Sequence, residues 1–134
     1  MPLAIAALRK IMQRAPFNNL LGIRLKRRHA DGVTIECPIR PDSANLAGTL
    51  HGGITATLAD VAGGFAALAH YGDRPLTTVE LKLNYFLPVT GSRVTARSHV
   101  LRAGRTLCVS QVEIRNEQRK LAAVAIVTYM LLDR

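Results

Sequence analysis

The stretch that decides the fold is His51–His70, which reads HGGITATLADVAGGFAALAH. Asp60 carries the only ionisable side chain between the two histidines, and the other residues are apolar or small. The run is too long for an ordinary strand and contains no proline, so it predicts a helix of about 18–20 residues that Gly72 closes. Because its surface is apolar nearly all round, we expect this helix to be buried.

Small residues make up much of the predicted helix, including the adjacent pair Gly63 and Gly64. Each glycine costs about 1 kcal/mol relative to alanine inside a helix, so the pair needs a structural reason. Close packing is one reason, because a helix without bulky side chains lets a sheet or a partner helix approach its axis. A kink at the two glycines is the alternative.

Segments with alternating apolar and polar residues flank this helix and predict strands. Before the helix, Gly22–His29 and Val33–Ile39 enclose Asp31-Gly32, a pair typical of a two-residue hairpin turn. After the helix, the predicted strands are Thr77–Leu87, Ser92–Ala103, Arg105–Asn116 and Lys120–Leu132. The connections between them are short, which favours antiparallel neighbours.

These elements predict an α+β fold in which a curved antiparallel sheet wraps around one long helix. A shorter helix over residues 1–15 is expected to come first and to end before Pro16. In Thr77–Leu87, regular alternation puts Thr78 on the polar face and Leu81 on the apolar face. The last strand, Lys120–Leu132, is apolar on nearly both faces, so we expect both faces to be covered.

Length and composition favour one domain over residues 1–134. Cys37 and Cys108 have neither zinc nor redox spacing, which predicts core cysteines in a reducing, cytoplasmic protein. No membrane span is expected, because the apolar run Gly53–Ala69 is shorter than the ~20 residues of a span and carries Asp60. The net charge of +9 favours an anionic partner, but an aromatic content of 4% and the spread of the charges disfavour nucleic acid.

The candidate site consists of Asn45, His51, Gly52 and Asp60. A carboxylate on a buried helix is costly unless it is hydrogen-bonded or functional, so structural and catalytic roles are both open for Asp60. The same two roles are open for His51. Gly52 and Gly53 begin the helix, where free N–H groups favour an anion or a polarised carbonyl, although a plain glycine-rich turn is the alternative.

Helix geometry separates Gly52 from Asp60. Eight residues correspond to about 12 Å along the axis. One substrate carbonyl cannot contact both groups of a single chain, since each contact requires about 3 Å. If both act on it, they come from two chains whose helices lie side by side and roughly antiparallel. This arrangement predicts a symmetric dimer with two equivalent sites.

The segment from Asn45 to Asp60, NLAGTLHGGITATLAD, resembles the signature of hotdog-fold acyl-CoA thioesterases of the phenylacetate-degradation type. Its specific part is the spacing Asn-x5-His-Gly-Gly-x6-Asp. The resemblance continues through Thr78–Pro88, Gly104–Leu107 and the strand Leu121–Tyr129, so it covers most of the chain. It implies a hotdog fold and the hydrolysis of an acyl- or arylacyl-CoA to free acid and coenzyme A.

The resemblance also implies roles for individual residues. Asp60 matches the general base or nucleophile, and the Gly52 N–H matches the oxyanion donor. Asn45 and His51 would orient the thioester and water, and Thr78 would position the water. Residues that match the family's contacts to substrate and coenzyme A are Glu80, Tyr85, Phe86, Pro88, Arg102, Gly104, Arg105 and Thr106.

Arg102 and Arg105 would bind the phosphates of coenzyme A, which would account for part of the positive net charge. The alternative is that these arginines belong to a solvated face of the sheet. The thiolate is a good leaving group, so we expect no metal and no cofactor beyond the coenzyme A of the substrate. The family implies a homo-oligomer, at least a dimer and typically a tetramer. The alternatives are a hydratase or dehydratase of the same fold and an acyl-CoA-binding protein without hydrolysis.

Overall fold

The computed structural model describes residues 2–133, which contain three α-helices and six strands. The helices are α1 (Ile5–Gln13), α2 (Pro16–Leu21) and α3 (Gly52–Tyr71). The strands are β1 (Arg24–His29), β2 (Gly32–Pro38), β3 (Leu76–Tyr85), β4 (Arg93–Ala103), β5 (Leu107–Arg115) and β6 (Leu121–Leu131).

All six strands form one antiparallel sheet in the order β1-β2-β4-β5-β6-β3, and this sheet wraps around α3. Its inner face buries alternate apolar side chains, because successive residues of a strand point to opposite faces. Leu58, Ala62 and Phe65 of α3 are buried in the same core, at three- and four-residue spacing. The predicted α+β architecture, a sheet around one long helix with a short N-terminal helix, is confirmed.

Helix α3 is long and apolar enough to cross a membrane by length and composition alone. In the fold it is the central helix, and 50% of its apolar window is buried inside the structure. Burial against the sheet therefore accounts for its apolar character.

The pair Gly63 and Gly64 lies where the ring of Tyr129, on β6, packs against α3. A Cβ atom at position 63 would come closer than 3.0 Å to the Tyr129 hydroxyl, whereas one at position 64 would lie 3.5 Å from the ring, an ordinary contact. Close packing of helix and sheet, not a kink, thus explains Gly63.

The β1–β2 hairpin differs from the prediction by one residue. His29 pairs with Gly32, so the two turn residues are Ala30 and Asp31, and Gly32 is already the first residue of β2. Gly32 is needed for a different reason: a Cβ there would collide with the backbone oxygen of Ser98 on β4. The glycine permits close approach of two strands, and the signal Asp31-Gly32 misplaced the turn.

The N-terminal helix is shorter than residues 1–15, and a second helix follows it. Pro16 ends the first helical segment, as expected, but it is also the first residue of α2, a position that proline favours. Gly22 then caps α2 in the left-handed conformation, with φ 76°. The first strand consequently begins at Arg24 rather than at Gly22; residue 1 lies outside the described residues.

Strand β3 contains a bulge that the predicted alternation missed. Thr78 pairs with Tyr129 and Glu80 with Thr128, so Val79 is an extra residue without a partner on β6. The extra residue reverses the alternation, and Thr78 faces α3 together with Leu81. The prediction that Thr78 lies on the opposite face from Leu81 is therefore wrong.

The two remaining fold predictions concern β6 and the cysteines. The outward side chains Val124 and Ile126 of β6 are half-buried, so within the described chain the outer face is not covered as expected. Cys37 and Cys108 are both free and buried on the inner face, which confirms them as core residues.

Candidate active site

Asp60 lies in the middle of α3, and its carboxylate is hydrogen-bonded. The side chain is half-buried, not fully buried as expected, because α3 has a stripe that the sheet does not cover. The Thr78 hydroxyl donates to Oδ1 of Asp60 at 2.6 Å. The structure thus brings together two residues that the sequence had placed in one site.

The backbone of Asp60 is held as well. The Tyr129 hydroxyl donates to the Asp60 carbonyl oxygen at 2.5 Å. Burial raises the pKa of Tyr129, and the nearby negative charge of Asp60 raises it further, so the hydroxyl remains a proton donor. Sequence reasoning did not include Tyr129; the pair Gly63-Gly64 was the available signal, since it marked a place where something packs closely on α3.

His51 caps the start of α3. Its Nδ1 accepts a hydrogen bond from the Gly53 N–H at 2.9 Å, which satisfies one of the free donors of the first turn. The Gly52 N–H makes no hydrogen bond with any other residue of the described range 2–133. At the positive end of the helix dipole, this free N–H is suited to a polarised carbonyl or an anion.

Tyr85, at the end of β3, fastens the helix start to the sheet. Its hydroxyl donates to the Gly52 carbonyl oxygen at 2.6 Å, and burial raises its pKa. Asn45 organises the preceding loop in the same manner: its Oδ1 accepts from the N–H groups of Ala47 and Thr49, and its Nδ2 donates to the Thr49 hydroxyl. Tyr85 thus contacts the helix start directly, whereas Asn45 orders the loop that leads into it.

A cavity of about 350 Å³ opens beside this helix start. Its walls are mainly apolar and include Leu50, Val89, Ala122 and Ala123. Five residues predicted for the site contribute to its lining: Asn45, Gly52, Tyr85, Phe86 and Pro88. None of the lining residues is acidic, and Asp60 is not among them.

Sequence reasoning missed part of this lining. Ala122 and Ala123 come from β6, far along the chain, and nothing in their pattern marks a site. Thr55 is buried in the lining and follows Gly52 by three residues, so helical spacing could have identified it.

The predicted coenzyme A residues at the β4–β5 turn lie elsewhere. The Tyr71 hydroxyl, at the C-terminal end of α3, donates to the Gly104 carbonyl at 2.6 Å, and Arg102, Arg105 and Thr106 are exposed around that turn. Gly52 lies at the opposite end of this 20-residue helix, about 30 Å away along its axis. A single chain therefore does not bring these residues to the cavity.

Glu80 occupies the outer face of β3, because the Val79 bulge sends it away from Thr78. It is not among the residues that line the cavity. Within residues 2–133, no group of three or more His, Cys, Asp or Glu side chains is arranged to hold a metal ion. The absence of a metal requirement remains a prediction.

Comparisons with known proteins point to one family. Residues 47–123 match the sequence profile of the thioesterase superfamily. The chain is 32% identical over 132 residues to the medium/long-chain acyl-CoA thioesterase YigI of Escherichia coli strain K12, covering 87% of this chain and 85% of that protein. It is 33% identical over 103 residues to human acyl-coenzyme A thioesterase 13, covering 75% of this chain and 74% of that protein.

Solved structures agree with these relatives. A thioesterase from Haemophilus influenzae superposes with a TM-score of 0.89 at 25% identity, covering 99% of this chain and 93% of that one. A protein from Shewanella oneidensis related to the same superfamily gives a TM-score of 0.85 at 32% identity, covering 96% and 95% of the two chains.

Proposed function

Because the chain belongs to the thioesterase superfamily, we propose that it hydrolyses the thioester of an acyl-CoA at a site shared by two subunits. The expected hotdog thioesterase superfamily and the enzyme class, thioester hydrolase, are confirmed by that membership. The phenylacetate-degradation type remains a prediction. An acyl-CoA substrate is supported by the names of relatives such as the Escherichia coli and human acyl-CoA thioesterases.

One observation carries the two-subunit site: the cavity beside the free Gly52 N–H has no acid in its lining, while Asp60 stands on an uncovered stripe of α3. The half-buried residues Thr57, Asp60 and Val61 recur along that stripe at helical spacing. A second α3 lying antiparallel on the stripe would bring its Asp60 to the first subunit's Gly52. Within one chain, about 12 Å of helix separates Gly52 from Asp60, so one carbonyl cannot contact both groups of the same subunit.

Strand β3 supports the same assembly. It is an edge strand of the sheet, and Val79 in its bulge is 50% exposed. A symmetric partner that covers the α3 stripe would also bury this edge, since β3 supplies the Thr78 that contacts Asp60. Covering an unpaired sheet edge removes a surface that is otherwise prone to uncontrolled pairing.

The position of the β4–β5 turn fits a coenzyme A that extends across both subunits. Eleven residues separate Asp60 from Tyr71, which corresponds to about 16 Å along α3. In the antiparallel pair, the partner subunit's turn with Arg102 and Arg105 would lie that far beyond the Gly52 N–H. Coenzyme A carries its thioester at one end and its phosphates at the other, and arginines bind phosphate well.

In the proposed reaction, the thioester carbonyl oxygen accepts the Gly52 N–H hydrogen bond. Acting as a base, Asp60 takes a proton from water, whose oxygen attacks the carbonyl carbon. The C–S bond of the tetrahedral intermediate then breaks, and the thiolate recovers the proton from Asp60. Acting as a nucleophile, Asp60 instead attacks the carbonyl carbon, and the C–S bond breaks to release the thiolate. Water then opens the resulting anhydride to free acid and Asp60, and its proton neutralises the thiolate. Single-turnover hydrolysis in ¹⁸O-water separates the routes, because label in Asp60 would indicate the anhydride.

The test removes each proposed group separately. Gly52→Pro deletes the N–H at the first helical position, which accepts proline, and the extended conformation of His51 (φ −60°, ψ 131°) suits a residue before proline. Loss of one oxyanion donor should lower kcat by about 10²–10³-fold. Gly52→Ala is the matched control: it keeps the N–H and places a similar Cβ 3.3 Å from the Tyr85 hydroxyl. Asp60→Asn should abolish most activity.

Subunit mixing then tests whether the site is shared. A heterodimer of one Gly52→Pro chain and one Asp60→Asn chain, purified with two different tags, contains one intact site if Gly52 and Asp60 act across the interface. It should regain about half of the wild-type activity per dimer. A heterodimer as inactive as its parents would contradict the shared site, and full activity of Asp60→Asn would contradict the role of Asp60.

A further inference from the structure

We propose that Tyr129 is a positioning residue for Asp60, an inference that rests on the proposed function of that carboxylate. Its hydroxyl donates to the Asp60 carbonyl oxygen at 2.5 Å, while Thr78 donates to the carboxylate of the same residue at 2.6 Å. Thr78 and Tyr129 are direct cross-strand partners on the inner face of the sheet. One residue pair therefore holds both the backbone and the side chain of Asp60.

The surroundings of Tyr129 allow its hydroxyl little freedom. Tyr129 is 1% exposed and is among the largest fully buried side chains of the described chain. Gly63 lies against the hydroxyl so closely that an added Cβ would collide with it. A rigid ring in such a cradle fixes the distance between β6 and the turn of α3 that carries Asp60. The position of the carboxylate relative to a partner's Gly52 N–H depends on that distance.

The hydrogen bond is not needed to satisfy the helix. Asp60 is an internal residue of α3, so the regular helical pattern already offers its carbonyl the N–H of Gly64, four residues further along. The Gly64 backbone also hydrogen-bonds to Tyr129. A phenylalanine ring would fill the same space as the tyrosine ring. The hydroxyl thus contributes a directional contact to Asp60 that packing alone does not require, although a buried hydroxyl also needs some acceptor.

The test is Tyr129→Phe, with Ser110→Ala as the matched control. Ser110 is a buried residue of β5 whose hydroxyl donates to the Gly63 carbonyl at 3.3 Å, one turn away from Asp60. Both variants lose one buried hydroxyl bonded to α3. Tyr129→Phe should lower kcat about tenfold, the effect of one net hydrogen bond, and leave KM within about twofold. Ser110→Ala should keep kcat.

Coupling to Thr78 separates positioning from general stability. Because Tyr129 and Thr78 hold the same residue, the combined kcat loss of Tyr129→Phe and Thr78→Val should be smaller than the product of the single losses. In the double variant of Tyr129→Phe and Ser110→Ala, the factors by which the single substitutions change kcat should multiply. Equal kcat losses for Tyr129→Phe and Ser110→Ala would indicate a merely structural hydroxyl and overturn the proposal.

The outcomes also separate this proposal from the proposed function. Wild-type kcat in Tyr129→Phe together with an inactive Asp60→Asn overturns the role of Tyr129 alone, whereas full activity of Asp60→Asn overturns the proposed function. If Tyr129→Phe does not fold, Gly63→Ala provides the same readout, because it displaces the hydroxyl without removing it. A folded Gly63→Ala with wild-type kcat would overturn the proposal.

Discussion

The hydroxyl of Thr78 and the carboxylate of Asp60 are 2.6 Å apart because β3 contains one residue more than its partner strand. In a regular strand, Thr78 would point away from α3, since Leu81 and Leu83 point toward it. Val79 takes up the extra position, so that Thr78 turns inward three residues before Leu81. Bulges of this kind re-aim side chains next to active sites.

Thr78→Val tests what this contact contributes. Valine keeps the shape and the strand preference of threonine but cannot donate a hydrogen bond. A hydrogen bond to a charged group contributes about 1.5–3 kcal/mol, so kcat should fall by about tenfold or more while KM changes little. Steady-state kinetics with an acyl-CoA gives both values.

Thr77→Val is the matched control for this experiment. Thr77 is the preceding residue of β3, pairs with Met130 and is exposed on the outer face. Its variant should have the wild-type kcat. If Thr77→Val and Thr78→Val have the same kinetics, the contact between Thr78 and Asp60 contributes nothing to the reaction.

The two adjacent glycines of α3 should respond differently to alanine. Gly63→Ala puts a Cβ closer than 3.0 Å to the Tyr129 hydroxyl, and such overpacking costs about 1–3 kcal/mol of unfolding free energy. At Gly64 the new Cβ meets the Tyr129 ring at 3.5 Å, so the gain in helix propensity, up to about 1 kcal/mol, should dominate. Urea unfolding at one protein concentration measures both effects.

Each of these variants controls for the other, because the positions are adjacent in one helix. Destabilisation of similar size at both positions would mean that the glycines serve the helix backbone rather than the close approach of Tyr129. Stabilisation at both positions would mean that the ring moves away at little cost.

The fold was predictable from sequence wherever the hydrophobic pattern follows a regular period. The long apolar run ending at His70 predicted a buried central helix, and alternating apolar residues, as in β2, predicted strands. The errors arose where one residue breaks the period. Val79 reversed the alternation of β3, and Gly32, which looked like a turn residue, serves the close approach of β2 to β4 at Ser98.

The candidate site was predictable to the extent that its residues are neighbours in the chain. Asn45, His51 and Gly52 belong to one loop and helix start, so spacing alone grouped them. Tyr129 and Ala123 reach the site through strand pairing, and a single sequence does not reveal which strands become neighbours. The register that joins Tyr129 to Thr78 is a property of the folded sheet.

Arg105 should contribute to the binding of the nucleotide and not to the chemistry. Its exposed guanidinium lies on the β4–β5 turn, where the proposed assembly brings the phosphates of coenzyme A. Arg105→Ala should raise KM for acyl-CoA several-fold and leave kcat unchanged, because an exposed charge pair contributes up to about 1 kcal/mol to binding. The difference in KM between wild type and Arg105→Ala should become smaller as salt is added, because salt screens exposed charges.

A truncated thioester that lacks the nucleotide is the control substrate for this variant. Wild type and Arg105→Ala should have the same kcat/KM toward it, because it has no phosphate for Arg105 to bind. Arg27→Ala, an exposed arginine of β1, should leave KM for acyl-CoA unchanged. An unaltered KM for acyl-CoA in Arg105→Ala would show that the turn does not bind the nucleotide.

Asp31, in the β1–β2 turn, should make the free energy of unfolding depend on pH in the acidic range. Burial alone would raise the pKa of Asp31, but the hydrogen bonds from Arg97 and His99, both at 2.8 Å, lower the pKa from 3.8 to about 2. The folded pKa is below the unfolded one, so this stabilisation is fully present above about pH 4 and is lost as the pH falls through about 2. The unfolding free energies of wild type and Asp31→Asn should therefore converge over that interval. Arg97→Gln should reduce the convergence, because it removes one of the two hydrogen bonds. Parallel pH profiles for wild type and Asp31→Asn would contradict the lowered pKa.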